Sequence, residues 1–76
     1  MWDEGIIIVA DVKVSYQVKH YNVASEFGID GGRISKLWMQ VNNTYVVSYE
    51  RGWNIQPDEA DSVIMTAYRE ILKKYN

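Results

Sequence analysis

Lys36-Leu37-Trp38-Met39-Gln40-Val41-Asn42-Asn43-Thr44-Tyr45-Val46-Val47-Ser48-Tyr49 is a β-hairpin written in sequence. Asn42-Asn43 separates two runs rich in β-branched and aromatic residues, and Asn enters the left-handed region that both central positions of a type I′ turn require. Pairing outward from that turn sets Val41 opposite Thr44, Met39 opposite Val46 and Leu37 opposite Ser48 on one face. Gln40 opposite Tyr45, Trp38 opposite Val47 and Lys36 opposite Tyr49 take the other, because side chains alternate across a strand. One face is then aliphatic, and the other is aromatic with cations at its margin.

Upstream, Ile6, Ile8, Ala10, Val12, Val14, Tyr16 and Val18 share one phase, while Asp11, Lys13, Ser15, Gln17 and Lys19 fall on the other. That is strand periodicity with one buried face. The run is longer than a usual strand, so a break is expected near Ala10-Asp11-Val12, as a tight reversal or a bulge. Asn22 to Gly32 is turn-rich and reads as a surface loop. Downstream of Gly52, Gln56-Pro57-Asp58-Glu59 has the form of a helix start, with Pro at the first helical position. Ala60, Val63, Ile64, Ala67, Ile71, Leu72 and Tyr75 recur at helical spacing, and Arg69, Lys73 and Lys74 gather toward the end. The fold that uses all these faces is α+β: a three- or four-stranded antiparallel meander with one C-terminal helix packed on one face, residues 1–76 forming a single domain.

A chain of 76 residues buries only about 60% of the surface its unfolded form exposes, so little core is spare for an enclosed active site. Without cysteine the domain has no disulfides, which points to a reducing cytoplasm. Asp3 and Glu4 stand where a signal peptide needs basic residues, and the apolar run Ile6 to Ala10 is too short to span a bilayer. A net charge of -2 argues against general affinity for nucleic acid, although local basic patches remain open.

Catalytic constellations are absent. His20 is the only histidine and falls on the apolar phase of its strand, which reads as a structural role. A lone His with scattered carboxylates has no metal-ligand spacing, and no cofactor or metal is assigned. The pairs Asp3-Glu4 and Asp58-Glu59 read as solvated neighbours. Gly31-Gly32 beside Arg33 and Lys36 lacks P-loop spacing and runs into a strand, so it reads as a turn. What survives is a partner-binding set: Lys36, Trp38, Tyr45 and Tyr49 on one sheet face, extended by Arg33 and Arg51, because aromatic rings and Arg dominate binding hot spots. The alternative, with these aromatics as core and the aliphatic face turned outward or sealed in a dimer, satisfies the same pattern.

The block Glu26-Phe27-Gly28-Ile29-Asp30-Gly31-Gly32-Arg33-Ile34-Ser35-Lys36-Leu37, with Tyr49-Glu50-Arg51-Gly52-Trp53 downstream, resembles a family of small uncharacterised proteins carried by bacteria and their phages. In that family a Gly-Gly-Arg-Ile-Ser-Lys-Leu segment precedes Tyr-x-Arg-Gly-Trp and a terminal helix. The resemblance implies phage or mobile-element origin, location in the cytoplasm of a bacterial host, and a non-enzymatic protein-binding module that contacts a host protein or complex. An antagonist of host defence, such as an anti-CRISPR inhibitor, is the expected form. Two alternatives stand beside it: a nucleic-acid-binding module, since a sheet with a C-terminal helix is similar to part of the double-stranded RNA-binding fold, and a structural homodimer sealed through a sheet face or edge.

Overall fold

The computed structural model describes residues 1–76 as five strands and a helix. The strands β1 (Trp2–Val9), β2 (Val12–His20), β3 (Ile34–Val41), β4 (Thr44–Glu50) and β5 (Trp53–Ile55) form an antiparallel meander in that order, and α1 (Ser62–Tyr75) lies against one face. The sheet thus has five strands where three or four were expected, because Trp2 to Val9 and Trp53 to Ile55 each pair as strands of their own.

The break near Ala10 is a tight reversal. Ala10 and Asp11 have φ of 49° and 64°, matching Asn42 and Asn43 at 50° and 63°, so both long hairpins close through two left-handed residues. Because Val9 pairs with Val12, the odd positions of β1 share a face with the even positions of β2. Ile7 and Val9 therefore turn inward, and Ile6 and Ile8, expected inside, are more than 60% exposed.

The β3–β4 hairpin starts in the expected register, with Val41 opposite Thr44 and Gln40 opposite Tyr45. Then it slips. Val46 is an extra residue, so Met39 pairs with Val47, Trp38 with Ser48, and Leu37 with Tyr49. The outward pairing of Tyr49 with Lys36 is corrected: Tyr49 is buried on the helix side at 6% exposure. The physical reason is area. Direct pairing would send Ser48 into the core and Tyr49 to solvent, whereas the bulge buries an aromatic ring, an exchange worth about 1.5–3 kcal/mol.

Helix α1 begins later than the Pro57 signal implied. Asp61 caps it, its Oδ1 accepting from the N–H groups of Val63 (3.0 Å) and Ile64 (3.1 Å). Asp58 instead folds a local turn, with Oδ1 accepting from Ala60 N at 2.9 Å. Ala60 is accordingly exposed outside the helix. The buried stripe is Ile64, Ala67, Tyr68, Ile71 and Tyr75, which share one core cluster with Val14, Tyr16, Val18, Leu37, Met39, Val47 and Tyr49.

The glycine-rich block is more than a surface loop. Ile29 and Ile34 are fully buried, and the Asn76 side chain clamps the segment to the end of the helix. Its Oδ1 accepts from Ile34 N (3.0 Å) and its Nδ2 donates to Ile29 O (3.1 Å). A Cβ on Gly32 would collide with this amide, and one on Gly28 would collide with the Gly32 carbonyl, so both positions need glycine for room.

Candidate binding surface

Helix α1 covers one side of the sheet, leaving the other bare. On that bare side Trp2 from β1 and Trp38 from β3 reach over β2 and stack, with ring centroids 5.4 Å apart and planes 5° from parallel. Ile6, Ile8, Tyr45 and Trp2 are exposed large apolar groups of this face. A shallow depression of about 730 Å³ lies among Ile6, Ser15, Gln17, Trp38, Gln40 and Tyr45. Glu4 lines it as well, so polar and apolar side chains are mixed around it.

A second concavity, about 740 Å³, opens at the end of the sheet, where the loop after β2 passes β3 and the β4–β5 turn. Lys19, Arg33, Lys36 and Arg51 line it, with Tyr21 and Phe27. The two sequence blocks meet here. Tyr49 Oη donates to the Phe27 carbonyl (2.7 Å), the Arg51 guanidinium lies 4.6 Å from the Phe27 ring centroid, and Arg51 N donates to Ser35 O (2.9 Å). Arg51 itself holds a left-handed φ of 57°. Trp53 meets the Tyr49 ring edge-on at 4.8 Å, closing the core behind the groove.

The expected site residues therefore divide. Trp38 and Tyr45 line the depression on the bare face, and Arg33, Lys36 and Arg51 line the groove. Tyr49 is behind the sheet and acts as a strut for Phe27. Sequence reasoning missed Trp2, Tyr21 and Phe27 as site residues, and counted Lys19 only toward a local basic face. Trp2 and Lys19 are cross-strand partners, a pairing that follows from a two-residue turn at Ala10-Asp11. No Gly or Asn marks that turn.

The titratable groups are placed for structure. His20 Nε2 and Asp3 Oδ2 are 2.7 Å apart, and the imidazole lies 4.9 Å from the Tyr75 ring. The Ser35 hydroxyl donates to the Lys19 carbonyl (3.4 Å). No group of three His, Asp or Glu side chains converges. Burial, then the 3.0 Å hydrogen bond to Tyr75 Oη, pushes the Tyr16 phenol up to about 12. Burial pushes Tyr68 up to about 12 as well. No buried side-chain nitrogen or oxygen lacks a partner.

These features define a small α+β domain with one covered sheet face, one bare aromatic face and a basic groove at its end. The chain belongs to the family described as a domain of unknown function, DUF7678, whose model matches residues 1–76. No curated protein and no solved structure matches it. No helix is long and apolar enough to cross a membrane.

Proposed function

We propose that this chain is a non-catalytic protein-binding module whose working surface is the bare sheet face. The observation that carries the reading is the Trp2–Trp38 stack, set out on the uncovered side and flanked by Ile6, Ile8 and Tyr45. Exposed large apolar groups gathered on one face mark an interaction site, and Trp and Tyr are the side chains that concentrate binding energy. The partner is a host protein or complex in the cytoplasm of a bacterial host. Its narrower form, an antagonist of host defence such as an anti-CRISPR inhibitor, is supported by the resemblance of Gly31 to Leu37 and Tyr49 to Trp53 to bacterial and phage proteins.

The test is to recover the partner from the native host with tagged wild-type protein and to measure its affinity for wild type and Trp38→Ala. A loss on the order of 2 kcal/mol or more, about thirtyfold, is expected, with the fold retained. Sedimentation of the purified protein is run alongside. A Trp38-dependent dimer with no other partner would replace this reading with a homodimer. A specific turnover abolished by His20→Ala or Ser35→Ala would overturn its non-catalytic part.

A further inference from the structure

The groove at the end of the sheet concentrates charge in a way the rest of the molecule does not. It takes Lys19, Arg33, Lys36 and Arg51, four of the eight Lys and Arg side chains, and none of the ten Asp and Glu side chains lines it. Lys19 and Lys36 are direct cross-strand partners, an arrangement of like charges that destabilises a sheet unless something compensates it. Within the chain the offsets are Glu50 across from Lys36 and the Trp2 ring, 5.8 Å from Lys19 Nζ. Neither lysine makes a salt bridge of 4.0 Å or less, and Glu50 accepts from Asn54 Nδ2 at 3.4 Å. The groove is therefore cationic along its lining.

We propose that this groove binds single-stranded nucleic acid. The two exposed rings decide among anionic chains. Tyr21 and Phe27 are each about half exposed, and each is paired with a cation: Lys19 Nζ lies 5.7 Å from the Tyr21 centroid and the Arg51 guanidinium 4.6 Å from that of Phe27. A ring beside a cation is the two-part element that a nucleotide needs, the ring for an unpaired base and the cation for its phosphate. Here it occurs twice. An acidic peptide would use the cations and leave the rings in water, and a duplex keeps its bases stacked on one another and out of reach of both rings. The Tyr49 and Ser35 hydrogen bonds fix the backbone at Phe27 and Arg51, from which the ring and the guanidinium project. This site is separate from the protein-binding reading, which stands or falls on Trp38.

The experiment is fluorescence anisotropy with labelled oligo-dT and oligo-U of about ten nucleotides, a duplex of the same length, and a poly-glutamate peptide, across a salt series. Binding of either single strand is expected, at least about tenfold tighter than the duplex, with log affinity falling against log salt at a slope of about -2 to -3 for up to four phosphate contacts. A preference between the two strands identifies the sugar that is read. Lys36→Ala and Arg51→Ala should each make the slope shallower by about 0.7. Tyr21→Ala should weaken binding about fivefold or more with the slope unchanged. Should Arg51→Ala fail to fold, because its φ is left-handed, Lys36→Ala carries the charge test. No binding of either strand at low salt, or a duplex bound as tightly as a single strand, would overturn the proposal. Poly-glutamate bound as tightly as the oligonucleotides, with no effect of Tyr21→Ala, would also overturn it and leave an acidic-peptide site.

Discussion

Replacing Tyr49 by Ala tests the bulge at Val46, on which the assignment of both sheet faces depends. The side chain is 6% exposed, meets Trp53 edge-on and donates a 2.7 Å hydrogen bond to Phe27 O. Removing a buried aromatic ring to Ala costs about 3–5 kcal/mol. A domain of this length is held by about 4–11 kcal/mol in total, so the variant should lose from about a quarter to all of its stability. Tyr49→Phe keeps the ring and loses the hydrogen bond, for about 1 kcal/mol. Trp38→Ala, on the bare face, forfeits chiefly its stacking on Trp2, again about 1 kcal/mol. Urea unfolding followed by far-ultraviolet circular dichroism ranks the three, since Trp fluorescence would respond to Trp53 as well. With a urea dependence of about 1 kcal/mol per molar, Tyr49→Ala should lower the midpoint by about 3 M or more and the other two by about 1 M. A Tyr49→Ala midpoint equal to that of wild type, with Trp38→Ala unfolded, would refute the bulged register and exchange the two faces.

Leu37→Ala and Ile64→Ala should each cost about 2–5 kcal/mol, since Leu37 is fully and Ile64 nearly fully buried in the layer between sheet and helix; unchanged thermal transitions in both would place the helix elsewhere. Ala10→Asn should stabilise the protein by about 1 kcal/mol, seen as a rise of about 4–8 °C in Tm, because a left-handed φ of 49° penalises Ala and suits Asn. Alkaline pH should destabilise the fold. Tyr16 and Tyr68 titrate near 12 when folded and near 10 when unfolded, so their contribution is complete below about pH 10 and is lost as pH rises through about 12. Tyr68→Phe should reduce that loss, as read from urea midpoints measured across this range; an identical decline in wild type and variant would show that Tyr68 does not contribute.

Local chemistry made much of this protein legible without coordinates. Asn42-Asn43 specified a hairpin through the left-handed preference of Asn, and helical spacing from Val63 to Tyr75 announced the covering helix. Those signals fitted either sheet face under the helix, and only packing decided that Leu37 and Met39 lie beneath it with Lys36, Trp38 and Tyr45 outside. The remainder was set by packing between segments distant in sequence. No local preference puts a bulge at Val46; it follows from the larger apolar area buried when Tyr49, and not Ser48, faces Trp53 and the helix. The same holds for the turn at Ala10-Asp11, where pairing along the whole of β1 and β2 outweighs the poor turn propensity of Ala, and for the helix start, where the Asp61 cap prevails over Pro57. The stacked Trp2–Trp38 pair and the groove of Lys19, Arg33, Lys36 and Arg51 are tertiary in origin for one reason. Their members come from different strands and loops, and cross-strand register, which depends on the sum of buried area over the sheet, is what sets them side by side.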